Sequence, residues 1–331
     1  MRGGIGLRRS VLLPAGPSDF SPSEKSASPG TLNAIDQVKR DKLMKSDIGR
    51  NYATSLLLIL SALYLGCGED SIDRELASDT SRPAQNAQQE QPGGYRVEPV
   101  RNGGVVEGRV TIAEVPADLP GFDEAEVQGV CLGALDNNRL EVGPDGGVAW
   151  GVVRIEGITA GKPFDEGVPM VDQVGCRYTP HVVTVPVGRS VRFRNSDPTP
   201  HNVRVEETSG LILMNATQGA QGDVDEMTVG SAGPKLVGCD YHPWMNAYVV
   251  GVETPYAAVT GPDGRFKITD VPPGEYRLHL WVNGFIPEPR LDNNGRVVRY
   301  RYSPPQEVTR TIRVEGSGRV VEDFVLTGEG G

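Results

Sequence analysis

From position 100 onward the chain has no long stretch with a 3.6-residue apolar period. It has instead short runs rich in Val, Ile and Thr, broken by Gly, Pro, Asp and Asn. Such runs pack as strands and the breaks between them turn the chain, so this texture confines it to an all-β sandwich architecture. Gly 42 and Pro 26 supply the turns that many short strands require. The 331 residues suffice for two domains of ordinary size.

Val105–Ile112 alternates like a strand, residues 113–138 read as a loop-rich insertion carrying Cys131, and Val148–Ile155 is another apolar run. Thr179–Asn195 reads as two strands joined at Gly188, followed by a polar loop that ends at His201. Asn202–Glu206 continues as a strand and 207–234 as a long polar segment. Lys235–Gly238 leads into Cys239, and Ala247–Val252 leads out of the loop that follows it. After Gly251 come strand patterns at Ala257–Thr260, Arg265–Ile268, Arg277–Val282, Thr309–Val314 and Val320–Leu326. They predict a second, smaller β-sandwich over 253–331, after a first domain over 104–252.

The loop Cys239-Asp240-Tyr241-His242-Pro243-Trp244-Met245 sets a thiolate, an imidazole and a thioether at i, i+3 and i+6. A second imidazole, His201, stands upstream in Pro200-His201-Asn202-Val203. Two imidazoles, one thiolate and a weak axial thioether are the donor set of a blue-copper electron-transfer site. Soft sulfur suits Cu(I) and imidazole accepts Cu(II), so one fixed geometry serves both states. Asn202 is placed to bond the ligand loop and hold it rigid. Pro243 and Trp244 are placed to form an apolar cover beside His242. His181, between Pro180 and a Val pair, and His279, within Leu278–Trp281, read as packed or surface residues of strands.

The N-terminal region differs from the rest. Residues 1–43 are rich in Ser, Pro, Gly and Arg without apolar periodicity, and read as a disordered leader or as an extension upstream of a true start at Met44. Residues 44–67 carry basic residues, a short apolar run and a small residue before a cleavage point, the pattern of a secretory signal. That run is shorter than the ~20 residues a spanning helix needs. Leu63-Tyr64-Leu65-Gly66-Cys67 resembles a bacterial lipoprotein signal, although Tyr64 and Leu65 depart from its usual residues. The resemblance implies lipidation of Cys67, a periplasmic or cell-envelope location, and membrane contact only through that anchor. Residues 68–103, polar and rich in Gln, Ala, Pro and Ser, read as a flexible linker.

The formal net charge is −10, and residues 1–66 carry an excess of Lys and Arg, so the remainder is more acidic still. This argues against nucleic acid as a partner and favours docking to a basic protein surface. With Cys67 assigned to lipidation and Cys239 to metal, Cys131 and Cys176 remain to form a disulfide in an oxidising compartment. The competing pairing, Cys239 with either of them, would leave no metal site.

The ligand loop resembles that of the cupredoxins, with the short Cys-x2-His-x2-Met spacing of the amicyanin type, and Pro200-His201-Asn202-Val203 resembles their upstream histidine motif. The resemblance covers 176–252 well and 104–175 loosely. It implies an eight-stranded Greek-key sandwich and one type 1 copper held by His201, Cys239, His242 and the axial Met245. Residues 255–282, with Gly264-Arg265-Phe266 and Val271-Pro272-Pro273-Gly274-Glu275-Tyr276, resemble the carboxypeptidase regulatory-like β-domain. That domain is usually non-catalytic; its usual first strand is not evident here, and Val105–Ile112 is the candidate to supply it. The combination resembles a group of exported plastocyanin-like proteins, some labelled as methylamine-utilisation proteins. No Ser-His-Asp grouping, phosphate-binding loop or dinucleotide Gly motif is visible. The expectation is therefore a non-enzymatic electron carrier with a redox partner in the cell envelope. A copper carrier or sensor without redox turnover, and an adhesion module with a vestigial site, are the alternatives.

Overall fold

The structure, a computed structural model, describes residues 94–116, 131 and 140–328. The leader, the signal segment with Cys67 and most of the linker and of the 113–138 insertion lie outside the described residues. Among the described residues every element is a strand, and no helix is long and apolar enough to cross a membrane.

Two sandwiches are present. The first pairs a five-stranded sheet, in the order Ile212–Gln218, His201–Glu207, Gly233–Gly238, Asn246–Val252 and Val182–Pro186, with a four-stranded one. The latter runs Val224–Thr228, Ser190–Asn195, Met170–Gln173 and Tyr178–Thr179. Alternate residues of these strands meet between the sheets: Val191 and Phe193 from one side, Val203, Val205, Val237 and Val249 from the other. The polar segment expected over 207–234 contains two of these strands, Ile212–Gln218 and Val224–Thr228. Both are edge strands with mostly exposed residues, so they carry too little apolar signal to be read as strands.

The second sandwich is built from Ala257–Val259, Val152–Glu156, Gly274–Val282 and Gln306–Val314, against Arg265–Val271, Gly104–Ile112 and Arg319–Val321. Phe324–Leu326 also pairs with Gly104–Ile112. This corrects the expected boundary at 104. Gly104–Ile112 is hydrogen-bonded on both sides by C-terminal strands, and Val152–Glu156 lies between Ala257–Val259 and Gly274–Val282. Alternating strands look alike in sequence whichever core they enter, and only the long-range pairing separates them. The second sandwich thus takes Gly104–Ile112 as a strand from outside its C-terminal segment.

The central strands explain how the two sandwiches meet. Asn246–Val252 is buried at every position. Its Ala247 and Val249 enter the first core, while Tyr248 and Val250 point the other way, onto Val152 and Trp281 of the second sandwich. The Tyr248 and Trp281 rings stand edge to face at 5.2 Å. This apolar seam holds His181, which is buried, with Nδ1 donating to the Asn246 carbonyl at 3.2 Å. Burial pushes its pKa down to about 4, so the folded protein keeps it neutral. The unfolded chain binds its proton near pH 6.5, so the seam's stability is whole above that pH and falls as pH drops towards 4. The loss is about 3 kcal/mol. Urea unfolding from pH 7 to 4 is expected to show it, and to show less pH dependence in His181→Gln; equal slopes would remove His181 as the cause.

Candidate metal centre

Three neighbouring strand ends converge at one pole of the first sandwich. Gly233–Gly238 and Asn246–Val252 are antiparallel neighbours, with Gly238 opposite Asn246, so the segment from Cys239 to Met245 closes their turn. His201 opens the strand on the other side of Gly233–Gly238. Local sequence and sheet register together place donors far apart in the chain on one small surface.

His201 Nδ1 and His242 Nδ1 face each other at 2.9 Å, and Cys239 Sγ lies 3.6 Å from His242 Nδ1. The donor atoms of His201, Cys239 and His242 all lie within 4.8 Å of one another. Metal–nitrogen and metal–sulfur bonds of about 2.0–2.3 Å put donors around one ion roughly 3–4 Å apart. The residues present therefore fit a soft, mixed nitrogen–sulfur ion. Met245 is buried in the same core cluster, and its N–H donates to the His242 carbonyl at 2.9 Å.

Electrostatics keeps the imidazoles available. Burial, and then the facing His201, push the His242 pKa down to about 4; burial likewise lowers that of His201, with partial opposition from Asp197. Both are neutral at pH 7 and can offer a lone pair. His201 Nε2 lies 2.9 Å from Asp197 Oδ2. Donation from Nε2 to that carboxylate fixes the tautomer and turns the unprotonated Nδ1 inward. The Cys239 thiol is pushed up by burial and pulled back by the N–H groups of Asn202, Tyr241 and His242. A bound cation would complete its ionisation.

Asn202 joins the two halves of the site. Its backbone N–H points at Cys239 Sγ at 3.3 Å, and its Oδ1 accepts the Asp240 N–H at 3.3 Å. Its Nδ2 donates to Asn215 Oδ1 at 2.7 Å. Trp244 is buried with its ring 5.1 Å from that of His242, and its Nε1 donates to the Cys176 carbonyl at 3.2 Å. Pro243 lines a small cleft beside Cys239 and Met245.

Cys131 and Cys176 form a disulfide, and Cys239 is a buried free thiol. The disulfide sits on the site itself: Cys131 Sγ is 3.7 Å from His242 Nε2. Gly175 and Cys176 both have left-handed backbones, at φ 60° and 55°, which point two consecutive N–H groups at the Asp197 carboxylate, at 2.7 and 2.8 Å.

Two residues of the centre are not apparent from the sequence patterns above. Asp197 reads there only as part of a polar loop, although its place four residues before His201 is a usable signal. Tyr178 is buried, and its hydroxyl lies 2.6 Å from the Asn202 carbonyl and 3.0 Å from that of Gly238, tying the His201 strand to the Cys239 strand. Nothing local in the sequence marks that role. Asp197→Ala would leave His201 Nε2 and two N–H groups without their acceptor. It is expected to weaken Cu(I) affinity about 10- to 100-fold, with partial rescue by Asp197→Asn. Chelator competition measures it, and an unchanged affinity would reduce Asp197 to a loop brace.

Residues 242–294 match the family model for domain II of polysaccharide lyase family 4. None of the curated proteins matches the chain. Among solved structures, a purple cupredoxin from Nitrosopumilus maritimus is 26% identical over 25% of this chain and 99% of its own, with a TM-score of 0.24. A reduced amicyanin variant is 26% identical over 26% of this chain and 83% of its own, also at 0.24. Amicyanin from Paracoccus versutus is 20% identical over 30% of this chain and 97% of its own, at 0.24. These similarities span a minor part of the chain, and the donor atoms carry the functional reading.

Proposed function

We propose that this chain is an exported copper protein that carries single electrons, with His201, Cys239, His242 and Met245 as the residues that would hold one type 1 copper. The observation behind this reading is the convergence of His201 Nδ1, His242 Nδ1 and Cys239 Sγ, with Asp197 fixing the tautomer of His201. Bound there, copper would alternate between Cu(I) and Cu(II) by one electron. The chain's part is to hold the donors still. Tyr178 and Asn202 tie the two ligand segments together, Asp197 orients one imidazole, and Trp244 packs against the other. A centre braced in this way rearranges little when its charge changes.

The second sandwich has a scaffold role in this reading, in keeping with the carboxypeptidase regulatory-like pattern. Lipidation at Cys67 would tether the protein at the cell envelope, with 68–103 as the leash. Its partner would be a redox protein presenting a basic surface. A carrier that hands copper on is the less favoured reading, because Cys239 and Met245 are buried and Cys131 Sγ of the disulfide lies against His242 Nε2.

The test is a visible and electron paramagnetic resonance spectrum of the protein titrated with Cu(II). An intense thiolate-to-copper band with narrow hyperfine splitting is expected at one equivalent. A pale tetragonal spectrum, or no uptake, would overturn the reading.

A further inference from the structure

The hairpin Pro287–Leu291 with Val297–Tyr302 belongs by chain order to the second sandwich, yet its end packs on the first. Tyr300 is 6% exposed and sits in the same core cluster as Cys239, Trp244 and Met245, with Val297 and Tyr302 against it. Arg299 reaches Asp240, the residue after Cys239, at 3.4 Å, and Glu206 at 3.7 Å. Glu206 is itself held by Arg204 at 2.8 Å. Between hairpin and ligand loop lies a cleft of about 20 Å³, walled by Cys239, Pro243 and Met245 on one side and Arg299, Tyr300 and Tyr302 on the other. That is room for about one water molecule.

We propose that this hairpin is the cover of the metal centre, with Tyr300 closing the Cys239–Met245 side and Arg299 acting as the clasp that positions the ligand loop through Asp240. The identity of the covered centre rests on the copper reading above; the cover does not. The ligand loop closes one end of a sandwich, and the hairpin residues stand across a shared cleft from Cys239 and Met245. An apolar plug with a charged clasp at its rim excludes water and small ligands without adding a donor to the site. The Arg299–Asp240 pair is partly exposed, at 31% and 35%, so salt should loosen it.

Two measurements on the full chain carrying Cys67→Ser separate the two claims. The first is the rate at which Ellman's reagent modifies Cys239 in the metal-free protein. Arg299→Ala is expected to raise that rate about tenfold, because modification of a covered thiol follows the opening of its cover. Tyr300→Ala should raise it further, and Arg310→Ala, which breaks an ion pair with Glu322 on the second sandwich, should have no effect. The second is Cu(I) transfer to a chelator, expected to accelerate in the same order. If the protein takes up no copper but the thiol rates follow this order, the cover stands and the copper reading falls. If Arg299→Ala, folded by near-ultraviolet circular dichroism, reacts at the parent rate, the cover is refuted whatever the copper result. Should Tyr300→Ala fail to fold, Arg299→Ala alone decides.

Discussion

Cys239→Ser is expected to abolish the blue band and to lower Cu(I) affinity by at least about a hundredfold, while the fold survives. The two halves of that expectation have separate causes. Thiolate sulfur is the soft donor that makes the centre suit Cu(I), and a hydroxyl does not ionise to replace it. The fold tolerates the change because oxygen nearly matches sulfur in shape and still accepts the Asn202 N–H that now points at Cys239 Sγ. Serine does bring a hydroxyl into a site 5% exposed. The neighbouring N–H groups keep the cost to roughly 1 kcal/mol. Absorption and EPR spectra after Cu(II) loading test the first half, and thermal unfolding of the metal-free protein tests the second. A blue band persisting in the variant would take Cys239 out of the site; a collapsed apo-protein would mean that the thiol matters more for packing than for metal.

Much of this centre is legible in the amino-acid sequence, for a reason specific to its loop. Cys239, His242 and Met245 are separated by two residues each, so their convergence is local, and His201 follows a loop that has to end at a strand. Asn202 is readable for the same reason, as the neighbour of a donor. Tyr178 is not, because its two acceptors, the carbonyls of Asn202 and Gly238, are brought to it by pairing across sheets. Arg299 and Tyr300 belong to the same class: a hairpin that sequence order assigns to one sandwich closes over the other. The all-β class is readable from alternation, whereas the ownership of Gly104–Ile112 and Val152–Glu156 is not. A strand's pattern says which of its faces is buried, not against which partner. Asn246–Val252 makes the point most directly, since it is buried on both faces because two cores share it.

The disulfide binds these levels together, and its loss is expected to show it. Cys131 and Cys176 are 45 residues apart in sequence, and closing a loop of that length in the unfolded chain corresponds to about 4 kcal/mol of stability. In a unit of this size that lowers the unfolding midpoint of a Cys131→Ser/Cys176→Ser variant by roughly 10 °C. A mere clip would do no more than that. Here the Cys176 N–H helps to hold Asp197, Asp197 orients His201, and Cys131 Sγ covers the Nε2 edge of His242. The double serine variant should therefore also bind Cu(I) more weakly, and its remaining copper should exchange faster with small ligands that approach from the His242 side. Calorimetry and chelator competition on the same samples separate the two effects. A lower midpoint with unchanged affinity would make the disulfide a staple for the fold alone, and an unchanged midpoint would remove the disulfide as a source of stability.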